Sequence, residues 1–450
     1  MINRSRLASL IARERETYRS RNPKSLAAYQ AATNLFGRVP MTWMNKSAGG
    51  FPLYLSKAKG AHVEDLDGHD LIDFCLGDTG AMAGHSPEPT VEAVQRRFAE
   101  LGGATAMMPS EDAQWVGAEL ARRFDLPYWS FALTATDANR WALRLARAIT
   151  GRPKILFHNY CYHGSVDESL IVIGPAGQGM SRQGNVGAPV DVTVTSRVTE
   201  YNDLDGLERE LAHGDVAAML MEPALTNIGI VLPADGYLAG VRELTRKHGT
   251  LLINDETHTF SAGPGGCTRA WSLAPDMLTI GKAIAAGIPA AAYGLSDELA
   301  RSVSARSDLD LIDVGGVGGT LAGNALSVAA TRATLEHVLT DRAFEAMLAL
   351  SERYTAGVQR IIDRHELPWS ISRLGARSEY RFVSPAPSNG GESNASADAE
   401  LEDFIHVYLA NRGILLTPFH NMALMSPATT ESDVAQHEAV FEACVSELIS

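Results

Sequence analysis

The apolar positions of this chain change rhythm along its length. Near the start, Leu7, Leu10 and Ile11 recur at helical spacing, which predicts a helix that packs on the body or on a partner subunit. Over residues 51–75 the pattern becomes β-like: Tyr54, Leu55, Val63, Leu66, Leu71, Ile72 and Phe74 are punctuated by the turn Asp67-Gly68-His69, predicting a small antiparallel hairpin. From about residue 110, short apolar runs at 129–133, 154–158, 216–221, 250–254 and 277–280 read as strands. Helical patterns at 138–150 and 235–248, the second ended by Gly249, lie among them. Strands alternating with helices predict an α/β fold with a largely parallel sheet covered on both faces. After about residue 330 a long helical stretch runs to His365, followed by strand-like 369–383, a Ser-, Pro-, Asn- and Gly-rich loop at 384–398, and a last helix at 432–449. The expected organisation is an N-terminal segment and hairpin (1–80), a large α/β domain (81–330) and a C-terminal part (331–450), with the first and last joined as one smaller domain.

Composition narrows the function classes. The 450 residues are 45% hydrophobic and 20% charged, ordinary for a globular protein. A formal net charge of −14 repels phosphate backbones, so no nucleic-acid partner is expected. Cys75, Cys161, Cys267 and Cys444 are scattered, with no CxxC pair, which argues against a disulfide framework or a metal site and fits a cytoplasmic protein. No apolar run reaches the roughly eighteen residues of a membrane span. The basic start Met1-Ile2-Asn3-Arg4 leads into Glu14 and Glu16, not the apolar core of a secretory signal.

Candidate chemistry sits where apolar runs stop. In open α/β sheets ligands bind at the carboxyl ends of strands. Glu222 follows the run 216–221, Asp255 the run 250–254 and Lys282 the run 277–280. By position alone Asp255 and Lys282 are equally readable as a structural ion pair. Thr134-Ala135-Thr136-Asp137-Ala138 lies between a strand and a helix; its small residues would let backbone N–H groups reach an anion, or Thr136 or Asp137 simply caps the helix. Gly315-Gly316-Val317-Gly318-Gly319-Thr320 is a second phosphate-cup candidate or a flexible loop. Tyr162-His163-Gly164 offers a ring to stack on a planar ligand, or a core aromatic.

Taken in order, Asp67-Gly68, Gly84-His85, residues 134–139, Tyr162-His163-Gly164, Glu222-Pro223, Asp255-Glu256, Gly281-Lys282 and Gly319-Thr320-Leu321-Ala322-Gly323-Asn324 resemble the fold-type I, class III aminotransferases, among them ω-transaminases and glutamate-1-semialdehyde aminomutase. The resemblance runs from about Gly60 to the C-terminus. It departs at Thr134–Ala138, where the family usually reads Ser-Gly-Thr-Glu-Ala, and at Thr257-His258, where Val followed by Gln or Met is usual. The aminomutase's N-terminal Ser-Pro-Val-Arg-type motif has no counterpart; Met41-Thr42-Trp43-Met44 stands in that region.

The resemblance implies a mostly parallel, seven-stranded-type sheet in a large domain, a smaller α+β domain, and pyridoxal 5'-phosphate as cofactor. It implies that Lys282 condenses with the cofactor aldehyde and moves the substrate proton, and that Asp255 pairs with the pyridine nitrogen. Tyr162 and Thr257 would flank the ring, Ala135 and Thr136 would bind the phosphate, and Thr320 would reach the phosphate held by the other subunit of a homodimer. Glu222 would order the surroundings and His258 would approach the ring hydroxyl. Arg377 would grip a substrate carboxylate, or else pair with Glu379 at the surface; Trp43 and His420 would line the substrate pocket or serve the core. The leading expectation is ping-pong transamination from an amine or ω- or β-amino acid to a small keto acid such as pyruvate, because the aminomutase motif is missing. The alternatives are an aminomutase or racemase using the same Lys282 and Asp255, and a non-catalytic relative.

Overall fold

The computed structural model describes residues 2–450. The chain forms two compact units, one of residues 1–87, 345–386 and 396–450, the other of residues 88–344 and 387–395.

The second unit is built on seven strands: β1 (Tyr128–Ala132), β2 (Lys154–His158), β3 (Ser196–Thr199), β4 (Val216–Met221), β5 (Leu251–Asp255), β6 (Met277–Ile280) and β7 (Ala291–Leu295). Their spatial order is β1-β7-β6-β5-β4-β2-β3. Pairing is parallel from β6 to β3, while β7 runs antiparallel to both of its neighbours. Every residue of β4 and of β6 is buried, so these strands carry apolar side chains on both faces instead of alternating. Two strands escape the sequence pattern. Ser-Arg-Val-Thr in β3 lies at the sheet edge and is only partly apolar, and Ala-Ala-Tyr-Gly-Leu in β7 has weak intrinsic strand preference; neighbouring strands impose both.

The helix after β1 spans Ala135–Thr150, beginning three residues before the apolar pattern does. The Thr134 hydroxyl accepts from the Asp137 N–H, so Thr134 and not Thr136 or Asp137 is the cap. Ala138, Trp141, Ala142, Leu145 and Ala146 form its buried stripe, and Gly151, at φ 67°, ends it. Within the expected loop at 384–398, residues Gly390–Ala395 form a short helix whose start is capped by the Asn389 side chain on the Glu392 N–H. A Cβ at Gly390 would sit 2.2 Å from the Asn159 carbonyl oxygen, so close packing, invisible in a polar local sequence, orders the segment.

The first unit carries two small sheets. Leu55–Lys59, His62–Asp65 and Asp70–Asp73 form an antiparallel meander, one strand more than a hairpin, extended by Ile414–Leu415 in parallel with the third. Ser370–Leu374, Arg377–Arg381 and Met422–Leu424 form the other, all antiparallel. The N-terminal helix Arg4–Arg21 buries Leu7, Leu10 and Ile11 and packs on the helices Ala399–Ala410 and Glu431–Ile449 of its own chain. Among the described residues no helix is long and apolar enough to cross a membrane.

Candidate active site

Because β4, β5 and β6 are adjacent and parallel, their carboxyl ends meet at one rim of the sheet. Asp255 is the last residue of β5 and lies in register with Thr279 of β6, three residues before Lys282. Glu222 directly follows β4. The three strand-end residues singled out in the sequence therefore belong to one rim.

Asp255 is buried, and its carboxylate is closely surrounded. Oδ2 accepts from His163 Nδ1 at 2.9 Å and from Asn139 Nδ2 at 2.9 Å, and Oδ1 accepts from the Thr257 N–H at 3.0 Å. Burial works to raise this carboxyl, but the hydrogen bond and charge of His163 outweigh it and hold the group below the usual carboxylate range. Burial likewise opposes a cation on His163; neighbouring Cys161 and the bond to Asp255 overcome it, and the imidazole titrates well above its ordinary range. The pair is thus a buried, charged couple. Asn139 is itself oriented by the Thr279 hydroxyl, which donates to its Oδ1 at 2.6 Å.

The Thr134–Ala138 turn adjoins this rim. The Asp137 N–H is taken by the Thr134 cap, but those of Ala135 and Thr136 have no partner within the helix. A Cβ at Gly281 would lie 3.1 Å from Ala135 N, and one at Gly164 would lie 2.0 Å from Thr136 Oγ1. Glycine at these two places lets the Lys282 segment and the Tyr162–Gly164 loop close against the turn. Thr136 Oγ1 accepts from the Ser165 N–H at 3.1 Å, which ties the loop down. Tyr162 is 42% exposed and free to present its ring, whereas His163, next to it, is buried. Thr257 is buried and its hydroxyl has no hydrogen-bond partner.

Glu222 is fully enclosed. One oxygen accepts from the Thr226 hydroxyl, the Tyr162 backbone N–H also faces the carboxylate, and Oε1 has no partner. Burial pushes its carboxyl up to about 7. Lys282 adopts φ 48°, a left-handed conformation uncommon for a side chain of its size, and its Nζ lies 2.9 Å from His258 Nε2. His258 therefore meets the lysine amine. Thr320 lies exposed in its Gly-rich segment.

The candidate substrate residues belong to the first unit. Arg377 is 2% exposed and donates to the Thr79 hydroxyl, so it is not the surface arginine of the alternative reading. His420 Nδ1 lies 3.4 Å from Oε1 of buried Glu379. Burial opposes a charged His420, but the Glu379 charge raises its pKa. Trp43 is half exposed and packs at a tilt on Phe419, ring centres 5.8 Å apart.

His163 and Asn139 lie within the motifs that stand out in the sequence, but nothing local ties either of them to Asp255. A signal for Asn139 was present, since it is a polar residue next to Ala138 and Ala142 on the apolar stripe and would need a buried partner. Glu379 as the neighbour of His420, and Thr79 as that of Arg377, had no local signal.

Together the rim offers a buried anion, a reachable amine, two N–H groups at a helix start, an exposed ring and an unspent buried hydroxyl. This donor set suits a planar, nitrogen-bearing ring that carries a phosphate and an aldehyde.

The model of the family "Aminotransferase class-III" matches residues 43–444. A glutamate-1-semialdehyde 2,1-aminomutase of Chloroflexus aggregans is 32% identical over 440 residues, 95% of this chain and 98% of that protein. The crystal structure of a glutamate-1-semialdehyde aminomutase from Pseudomonas aeruginosa PAO1 superposes with a TM-score of 0.96 at 46% identity, covering 99% of both chains. That of an ω-transaminase from Sphaerobacter thermophilus reaches 0.85 at 26% identity, covering 95% of this chain and 98% of the other.

Proposed function

The chain belongs to the class III aminotransferase family, and from that premise we propose that it is an isomerase of the aminomutase kind, moving an amino group between two carbons of one substrate. It is an enzyme of the pyridoxal-phosphate class. The observation that carries the isomerase reading is the contrast in likeness over nearly the whole length: 46% identity to the Pseudomonas aminomutase against 26% to the ω-transaminase. Transamination, the leading expectation from the sequence, becomes the second reading. It keeps support from the missing Ser-Pro-Val-Arg-type motif and from the ω-transaminase likeness.

When bound, the cofactor supplies an aldehyde that takes up amines and a ring that withdraws electrons from the carbon bearing them. Asp255 would hold a proton on the ring nitrogen, and His163, Asn139 and the Thr257 N–H, which all donate to its carboxylate, would keep it ionised and aimed. Ala135 and Thr136 would hold the phosphate by backbone N–H at the helix start. Tyr162 and Thr257 would flank the ring, and Glu222 steadies the Tyr162 backbone. Lys282 would carry the cofactor and move the substrate proton between two carbons. Arg377 grips a substrate carboxylate, for which its planar fork is suited, with Trp43 and His420 beside the substrate. We place Thr320 at the phosphate of a second copy in a homodimer; exposed Phe98, Leu101, Met107, Met108, Ile312 and Val314 supply apolar surface for such a contact. A cytoplasmic location accords with the scattered free cysteines.

The test is acceptor dependence. Glutamate 1-semialdehyde is given to the purified protein with pyridoxal phosphate and no keto acid, and products are read by NMR. Isomerisation is expected to yield the isomer whose amino group has moved from carbon 2 to carbon 1. Turnover that begins only when pyruvate is added, with alanine accumulating, overturns the reading in favour of transamination. Lys282→Ala is expected to remove either activity, its proton-transfer role alone being worth on the order of 10²–10⁴ in rate.

A further inference from the structure

We propose that His258 is the proton-transfer partner of Lys282: it takes a proton from the lysine amine as that amine adds to a carbonyl, and returns it to the oxygen that leaves as water. The inference rests on the reading of Lys282 as the residue that carries the cofactor. It reaches past that reading by naming a second residue on the reacting atom.

The contact is built from both sides. On one side, His258 sits in the turn between β5 and the short helical turn Thr259–Ala262. That turn is pinned by buried Glu256, whose carboxylate accepts from the Thr259 hydroxyl, from the Cys267 N–H at 3.1 Å and from the Thr268 N–H at 2.5 Å. The pinning depends on Gly266, at φ 58°, where a Cβ would come within 2.4 Å of Glu256 Oε2. On the other side, Lys282 is held in a left-handed backbone conformation next to Gly281, which itself lies against Ala135. Two anchored backbones thus bring Nζ and Nε2 to 2.9 Å.

The chemistry follows from the atoms in contact. Addition of an amine to an aldehyde makes a C–N bond and must shed two amine protons in all, while the carbonyl oxygen must gain two to leave as water. One group that accepts a proton from nitrogen and donates it to oxygen serves both needs. Imidazole does this near neutrality because its ordinary pKa is close to the working pH. Lys282 Nζ and His258 Nε2 are within hydrogen-bond distance, and an imidazole nitrogen without a proton accepts from an amine N–H that faces it. His258 and Lys282 are both partly exposed, so an aldehyde can reach them.

The test reads cofactor loading, with no amino substrate present, and is therefore indifferent to whether the enzyme isomerises or transaminates. The full-length chain is stripped of cofactor, pyridoxal phosphate is added at saturating concentration, and capture is followed by stopped-flow absorbance. Borohydride trapping and peptide mapping check that Lys282 carries the label; a label elsewhere overturns both this proposal and the reading beneath it. In His258→Ala and His258→Gln the limiting capture rate is expected to fall by on the order of 10²–10⁴ with the final stoichiometry unchanged. Added imidazole should restore much of the rate in His258→Ala, and acetamide should not. Glutamine keeps a hydrogen bond but has no basicity. A His258→Gln variant that loads as fast as the parent, or a slow His258→Ala variant indifferent to imidazole, overturns the proposal and leaves His258 a structural neighbour.

Discussion

Each unit of this molecule buries a carboxylate beside a histidine, and the two pairs are finished differently. In the α/β unit, Asp255 and His163 are 2.9 Å apart, and both carboxylate oxygens have donors: the histidine, the Asn139 amide and the Thr257 N–H. In the other unit, Glu379 and His420 approach only to 3.4 Å, and neither Glu379 Oε1 nor His420 Nδ1 has a hydrogen-bond partner. A buried charge with a complete set of donors is fixed in place and stays charged. One with an unspent atom has not reached its best arrangement within the chain, and a bound group can still improve it. The first pair suits a permanent electrostatic duty, and the second suits a place where a ligand's charge arrives and leaves.

The largest test of that contrast removes the better-made anion. Asp255→Asn keeps the shape but strips His163 of its counter-charge in a fully buried setting. Breaking one partner of such a pair costs about 3–5 kcal/mol. Urea unfolding of the cofactor-free protein near pH 7 is expected to show a loss of that size, and turnover should fall with it. A loss under about 1 kcal/mol, the scale of an ordinary hydrogen bond, would mean that the pair is not charged and that the two regions are alike after all.

This difference was only half legible in the sequence. Asp255, Glu222 and Lys282 could be read because each stands where an apolar run stops, and parallel register then brings the ends of adjacent strands to one rim. Ala135 and Thr136 were recognisable as a small local motif at a strand-to-helix turn, and Tyr162 in a loop that follows a strand. The strand Arg377–Arg381 was opaque for the opposite reason. Arg-Ser-Glu-Tyr-Arg looks like a solvent-facing strand, yet all five residues are buried. What covers them comes from far away in sequence: Thr79 contacts Arg377, and His420 faces Glu379. No local pattern records such burial. His258 fell between the two cases, since its position was visible but its partner depended on the backbone turn at Lys282.

A smaller effect sharpens the comparison from within the α/β unit. Glu222 lies on the same rim as Asp255 but keeps one oxygen unpaired, and burial lifts its carboxyl to about 7 where the free side chain would sit near 4.5. The folded protein then holds a proton that the unfolded chain has released, so stability falls as pH rises from 4.5 to 7 and stays at the lower level above that. The full span is worth about 3 kcal/mol at most. In Glu222→Gln this dependence should vanish, which chemical unfolding of the cofactor-free protein at pH 5 and pH 8 can read. An unchanged pH 5 to pH 8 difference in the variant would assign the slope to other groups and leave Asp255 without its contrast on the rim.

The smallest expected effect is at the looser pair. His420 is raised above the ordinary histidine range against the pull of burial; Glu379 and Asp78 favour its cation and Arg377 opposes it. A group whose folded pKa is raised contributes stability that is complete below its unfolded value, near 6.5, and is lost as pH climbs through the folded value. Glu379→Gln removes the nearest anion, so the His420 titration, followed by NMR, should move down. The stability cost should be about 1 kcal/mol at pH 6 and should shrink as pH rises through the folded titration of His420. That cost is a fraction of the one expected at Asp255, because a contact at 3.4 Å with an unspent oxygen has less to lose. Were Glu379→Gln as damaging as Asp255→Asn, and equally so at pH 6 and pH 9, the second pair would be a structural strut and not a site left open for a ligand.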